Sequence, residues 1–201
     1  DYYDGMIITG APVELMEYED VNYWNEVTQI FIWAHTHVTS TLYICWAAQA
    51  GLYHFHGVPK YELPAKMFGV FKHTLNDASN PIFRGFDDEF FVPHSRHTEI
   101  RKEDILNVPE LTLLSESSES GVYMVMARGG REFFITGHSE YSPNTLNEEY
   151  LRDVAKGMDI DNRGFETYTY ASSSDFSITL QMDADKDYNQ KGTVSHELTN
   201  I

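Results

Sequence analysis

Apolar and polar positions follow two different periods along the first half of the chain. Met6-Ile7-Ile8-Thr9 is a short apolar run that stops at Gly10-Ala11-Pro12, a turn signal. Residues 20–37 then carry Val21, Trp24, Val27, Phe31 and Ala34 at helical spacing. Thr39-Ser40-Thr41-Leu42-Tyr43-Ile44 is β-branched and apolar, which predicts a second strand. It runs directly into Cys45 and an Ala-rich helical stretch from Trp46 to about His56. Strand, helix, strand, helix is the order of a parallel α/β sheet with crossover connections.

The middle of the chain is less regular. Phe68–Phe71, Glu89–Val92 and Leu111–Leu114 are short strand candidates. Val122–Ala127 and Glu132–Thr136 flank a Gly129-Gly130 turn and predict a hairpin. Ser142 is expected to cap the next helix, with Pro143 at its first position and Gly157 closing it. Leu146, Tyr150 and Val154 would form that helix's buried stripe. From about Asp159 the texture changes to Ser, Thr and Asp interleaved with Tyr, Phe, Ile and Leu, as in Tyr168-Thr169-Tyr170 and Phe176–Leu180. Two units are therefore expected: residues 1–158 as the body of the α/β domain, and 159–201 as an atypical segment that is β-rich or loosely ordered.

Composition narrows the function. The chain has 201 residues and 31 Asp+Glu against 14 Lys+Arg, a formal net charge of −17. That acidity, without a basic stripe, argues against an extended nucleic-acid surface. No apolar run is long enough to span a bilayer. A single cysteine excludes an intramolecular disulfide and a Cys-based zinc site. Asp183-x-Asp185-x-Asp187 starts like a calcium loop, but Tyr188 stands where the turn glycine belongs and Val194 where the closing Glu belongs.

The cysteine is the sharpest chemical signal. Cys45 lies between a β-branched strand and an Ala-rich helix, the placement of a nucleophile elbow. There a helix N-terminus favours the thiolate and supplies backbone N–H donors. A buried core cysteine is the competing reading. A nucleophile needs a base. His138 follows the end of a strand, and Glu140, two residues on, can bond the other ring nitrogen and fix the tautomer. The pairs His35/His37 and His54/His56 are i,i+2 in helical segments and point apart. His73, His94, His97 and His196 have no partner that the sequence identifies.

Several long motifs resemble one family in the right order. They are Asp4–Glu14, Thr39–Ala50, Arg84-Gly85-Phe86-Asp87-Asp88, Pro93-His94-Ser95-Arg96, Phe134–Tyr141 and Glu149-Tyr150-Leu151-Arg152-Asp153. Across about residues 3–158 the chain resembles the homoserine O-acyltransferases of methionine biosynthesis. The resemblance implies a class I glutamine amidotransferase-like fold: a mostly parallel sheet flanked by helices, a flavodoxin-like three-layer arrangement, here expected to be incomplete at the N-terminus. It implies that Cys45 forms an acyl-thioester, with His138 as proton acceptor and Glu140 as its orienter, and that Lys66, Ser95 and Arg152 sit at the substrate. A guanidinium fork suits the homoserine carboxylate, and Glu149 is the candidate acid for its ammonium group. On spacing alone, Glu149 and Arg152 also read as a surface i,i+3 ion pair. Backbone N–H groups at Trp46 and in the Gly10-Ala11 loop are the candidate oxyanion hole. In the family a Glu at the position of Glu14 goes with acetyl-CoA and a Gly with succinyl-CoA, because a carboxylate there repels a succinyl tail.

The expected activity is transfer of an acetyl group from acetyl-CoA to L-homoserine, in the cytoplasm. Acetyl-CoA would be a co-substrate, with no cofactor, metal, nucleic acid or membrane required and a homodimer left open. Ser139 stands where the family has Pro, and residues 159–201 do not follow the family pattern. Two other readings remain at this stage: a glutaminase-type amidotransferase subunit, or a non-catalytic remnant. Against the glutaminase, Tyr43 and Ala47 occupy the positions two before and two after the cysteine, where amidotransferases usually carry Gly.

Overall fold

A computed structural model of the chain describes residues 1–142 and 144–157 in full, and residues 160–161, 168–171 and 177–180 as backbone. Strand β1 (Tyr3–Ile8), helix α1 (Trp24–His37), strand β2 (Val38–Ile44) and helix α2 (Trp46–His56) come first. Then follow β3 (Tyr61–Leu75), β4 (Glu89–Glu99), α3 (Lys102–Leu106), β5 (Thr112–Ser117), β6 (Gly121–Ala127), β7 (Glu132–Ile135) and α4 (Thr145–Ala155). The short strands β8 (Ile160–Asp161), β9 (Tyr168–Ala171) and β10 (Ser177–Leu180) end the series.

The main sheet has the order β1-β2-β7-β6-β5-β3-β4, with β8 added against β3. β1 pairs β2 in parallel and β2 pairs β7 in parallel, so the predicted strand–helix–strand unit forms. The sheet is α/β and flanked by helices, but it is mixed rather than mostly parallel. β7/β6, β6/β5, β5/β3 and β3/β4 are all antiparallel. The cause is local. Arg128, Gly129 and Gly130 all adopt positive φ in a tight turn that can only join antiparallel neighbours. β9 and β10 form a separate antiparallel ladder.

Strand alternation sends successive residues to opposite faces. Tyr43, Leu113, Val125 and Phe134 join Phe31 and Leu52 in one core beneath α1 and α2. Their neighbours Ile44, Leu114, Met124 and Ile135 pack with Val92 and Phe83 in a second core. Helix α2 approaches the sheet closely at Gly51, where a Cβ would stand 2.8 Å from a Phe134 ring carbon. Leu146, Tyr150 and Val154 form the expected stripe of α4, packed on Phe68 and Val70 of β3.

Several boundaries differ from the sequence reading. α1 begins at Trp24, preceded by a single 3-10 turn at Tyr18–Asp20. The candidates Phe68–Phe71 and Glu89–Val92 are parts of much longer strands, of 15 and 11 residues. Ser142 does not cap α4: the cap position is Asn144, and the Ser142 hydroxyl bonds Thr145 Oγ1 at 2.8 Å. Gly157 closes that helix at φ 73°, as expected. Pro143, His196 and the Asp183–Asp187 run lie outside the described residues.

Candidate active site

The site is assembled where β1, β2 and β7 end together. Cys45 occupies the cap position of α2 with φ 54° and ψ −118°, one of two non-glycine residues with positive φ among the described residues. Its N–H donates to the Ile135 carbonyl at 2.8 Å, and its own carbonyl accepts from Ala48 and Gln49, starting the helix. Backbone of this kind costs on the order of 1–3 kcal/mol and persists only when surrounding contacts enforce it. Cys45 is 7% exposed.

Gly10, at the end of β1, lies directly against it. A Cβ on Gly10 would stand 3.1 Å from Cys45 Cβ, 3.4 Å from the Trp46 backbone nitrogen and 3.5 Å from Cys45 Sγ. The two peptide segments named for the oxyanion hole are therefore neighbours of the sulfur. Ala11 is half-buried and packs on the α2 core. The Trp46 ring is buried beside Tyr18 and Tyr23.

His138 emerges from the end of β7 at 8% exposure, its N–H bonded to the Pro93 carbonyl of β4 at 2.8 Å. Its Nδ1 meets Glu140 Oε1 at 2.8 Å, and the Cys45 thiol is within hydrogen-bonding reach of the same ring. Burial opposes the imidazolium, but the bonds and charges of Cys45 and Glu140 outweigh it and push His138 up to about 10. Burial likewise opposes the Glu140 carboxylate, and the His138 bond overcomes it to hold Glu140 below the usual range. The ring of Tyr141 stacks on His138, with centroids 4.2 Å apart and planes at 18°.

Helix α4 brings a second group beside this one. Arg152 Nε donates to Asp153 Oδ1 at 2.7 Å, and Lys66 Nζ of β3 donates to Asp153 Oδ2 at 2.5 Å. Burial works against the Asp153 carboxylate, but the two cations dominate and hold it down at about 2. Glu149 Oε1 lies 3.6 Å from Arg152, so the i,i+3 pair forms. Its Oε2 is buried without a hydrogen-bond partner among the described residues. The Tyr141 hydroxyl is within reach of Glu149, and burial first, then that carboxylate, raises the phenol. Glu14 accepts the His97 N–H on Oε2 at 2.9 Å, and its carbonyl accepts Lys60 Nζ at 2.7 Å. Ser95 is half-buried on β4, paired with Phe68 of β3.

Sequence reasoning missed Asp153, Tyr141 and a buried array behind the base. His73 and His94, without partners in the sequence, meet Nε2 to Nε2 at 3.1 Å. Ser120 Oγ lies 3.1 Å from His73, and Arg96 Nε donates to His94 Nδ1. Burial pushes both imidazoles down, His73 to about 4. Gly137 makes room for His94: a Cβ there would lie 2.7 Å from Val92 Cγ1 and 3.0 Å from the His94 ring. The paired-histidine segments hold no metal face: His35 bonds Glu132, and His37 stacks on Trp33. Among the described residues no group of three or more His, Cys, Asp and Glu side chains is placed to hold a metal, and no helix is long and apolar enough to cross a membrane.

Comparison with known proteins follows the same lines. The fold is similar to that of a glutamine amidotransferase from Thermotoga maritima (TM-score 0.62, 16% identity, covering 75% of this chain and 64% of that one). It is also similar to a glutamine amidotransferase from Methylobacillus flagellatus (TM-score 0.59, 11% identity, covering 82% of each chain). At such identities the likeness concerns the fold alone: the sheet and helices are those of class I glutamine amidotransferase-like proteins. In sequence, the chain is 80% identical over 160 residues to a protein of Parabacteroides distasonis named homoserine O-acetyltransferase, covering 80% of this chain and 52% of that one. A Bacteroides fragilis protein of the same name is 76% identical over 161 residues, again covering 80% of this chain and 53% of that one. One of Desulfitobacterium hafniense is 64% identical over 158 residues, covering 79% and 52%. The chain thus spans about half the length of the curated relatives it matches. The family profile described as homoserine O-succinyltransferase matches residues 1–183, beyond the point near residue 158 where the quoted motifs end. The chain belongs to the homoserine O-succinyltransferase family.

Proposed function

We propose that this chain carries the acyl-transfer site of a homoserine O-acetyltransferase acting in methionine biosynthesis, in the cytoplasm. The observation that carries the reading is His138 standing between the Cys45 thiol and Glu140 at a strained strand-to-helix turn. A glutaminase could share that trio. Two features favour an amino-acid acceptor: the orphaned Glu149 Oε2 for an ammonium group and the half-exposed Arg152 guanidinium for a carboxylate. The names of the close relatives point the same way.

In the first half-reaction the Cys45 thiolate attacks the thioester carbonyl of acetyl-CoA. The oxyanion faces the backbone N–H groups of Trp46 and the Gly10-Ala11 loop. The C–S bond to CoA breaks, the CoA sulfur leaves with the His138 proton, and Cys45 retains the acetyl group. Acylation removes the anion that favoured the imidazolium, so His138 is left neutral. It then takes the proton of the homoserine γ-hydroxyl as that oxygen attacks the acetyl carbonyl, and Cys45 departs as thiolate. Glu140 keeps the imidazole in one tautomer throughout. Glu14, pinned by His97 and Lys60, is the acid proposed to disfavour a succinyl donor.

The test is direct. The chain is incubated with acetyl-CoA, a Cys45-linked acetyl adduct is sought by mass spectrometry, and L-homoserine is then added. An adduct that L-homoserine discharges is the expected result. Release of ammonia from glutamine would transfer the site to the glutaminase reading. No adduct on a folded chain would leave a non-catalytic remnant.

A further inference from the structure

Lys66 and Asp153 raise a question that the acyl-transfer reading leaves open. Family resemblance puts Lys66 at the substrate, yet its side chain is only 5% exposed and its ammonium group is committed to Asp153 Oδ2 at 2.5 Å. It also lies over the Phe68 ring, 4.9 Å from the centroid. Asp153 is 2% exposed, and both of its oxygens are in use, the second by Arg152 Nε. Arg152 differs: half of its side chain is exposed, and its Nε edge alone is held by Asp153, while Nη1 stands 3.6 Å from Glu149.

The four charges cancel in pairs, Lys66 and Arg152 against Asp153 and Glu149. A neutral set with one guanidinium edge open and one carboxylate oxygen unpartnered complements a zwitterion, which brings one charge of each sign. It does not complement a simple anion, for which a surplus of positive charge would be expected.

We propose that Lys66 and Asp153 form a positioning pair, a buried ion pair that aims the terminal nitrogens of Arg152 at the carboxylate of an amino-acid acceptor. The proposal rests on the acyl-transfer reading. Asp153 fixes the guanidinium plane through Nε, and Lys66 anchors Asp153 to β3, so the aim of Arg152 is referred to the sheet instead of to a surface helix. A bidentate carboxylate contact depends on that plane. Removing the anchor leaves Arg152 charged and present but unaimed.

The test uses acetylated chain and two acceptors that share the hydroxyl and the ammonium group but not the carboxylate: L-homoserine and 3-aminopropan-1-ol. In Asp153→Asn the Cys45 adduct should form from acetyl-CoA as in the unsubstituted chain. Discharge by L-homoserine should then fall at least about tenfold, through KM rather than kcat, with discharge by 3-aminopropan-1-ol changed less than about twofold. A second variant, Lys66→Met with Asp153→Leu, replaces the pair by apolar groups of similar volume, which preserves folding in comparable buried pairs. It should show the same selective loss. Equal losses with both acceptors, or no loss with L-homoserine in either variant, overturns the proposal. Failure of the enzymatic reading would show separately, as absence of an adduct or of discharge in the unsubstituted chain.

Discussion

Gly10 and Cys45 are in contact across the end of the sheet, so close that a methyl group on Gly10 would fit only if Cys45 gave way: a Cβ there would stand 3.1 Å from Cys45 Cβ and 3.5 Å from Sγ. Gly10→Ala should therefore leave the fold intact and displace the thiol by a few tenths of an ångström. The expected outcome is acyl-adduct formation slowed by about tenfold or more, and Gly10→Val slower still, since small misplacements of a reacting atom carry large kinetic penalties. Mass-spectrometric time courses with acetyl-CoA, with circular dichroism to verify folding, measure it.

Strain at the nucleophile gives a second expectation. Elsewhere Gly is the less stable choice relative to Ala, because it loses more backbone entropy on folding. At Cys45, with φ 54°, the order should reverse. Cys45→Gly is expected to be more stable than Cys45→Ala by about 1 kcal/mol in urea unfolding. If Ala is as stable as Gly here, the turn carries no strain.

The pH dependence of stability should carry the signature of His138. Its imidazolium is favoured in the folded chain up to about 10 against an ordinary 6.5: burial acts against it and the Cys45 and Glu140 interactions prevail. A group raised on folding stabilises fully below its unfolded value, and that contribution is lost as the pH climbs through the folded one. Stability should thus decline between those two values, with a contribution to the slope of up to about 1.4 kcal/mol per pH unit. His138→Gln should flatten the decline, and Cys45→Ser should move it to lower pH. Urea midpoints across that range decide the matter.

Asp153 behaves oppositely. Burial would raise it, but Arg152 and Lys66 hold it at about 2 against an ordinary 3.8, so its contribution is present above the ordinary value and lost as the pH falls through the folded one. At neutral pH, Asp153→Ala leaves Lys66 buried and unpaired, and should cost on the order of 3–5 kcal/mol. Lys66→Met combined with Asp153→Leu should recover most of that loss in thermal melts.

Replacing Glu14 tests donor choice. Glu14→Gly is expected to raise adduct formation from succinyl-CoA by at least about tenfold relative to acetyl-CoA. An unchanged donor ratio in competition assays would remove Glu14 from the account.

What was legible in the sequence was local chemistry. The β-branched run ending at Cys45 and the alanines after it identify the elbow, and Glu140 two residues from His138 gives a bond that is made at 2.8 Å. The first βαβ unit was equally plain from its two periods. Asp153 was not, because an Asp beside an Arg on an acidic helix reads as a solvated face. Its decisive partner, Lys66, lies 87 positions away. His73 and His94, 21 positions apart, needed the β3/β4 register to meet. The lengths of those strands were also hidden. Through its middle β3 is buried on both faces, which erases the alternation that marks a strand with one wet side.

Pro93 gives the base an unusual address. It sits in β4, at the end of the sheet order, paired to Val70; an end strand is where a residue with no N–H is best tolerated. Its carbonyl holds His138, whose ring is tied to Glu140 two residues on and to Cys45 at the end of β2. Edge strands open locally at lower free energy than the strands they cover. The temperature at which acyl transfer fails should therefore report fraying of β4, and fall below the temperature at which β1, β2 and β7 come apart.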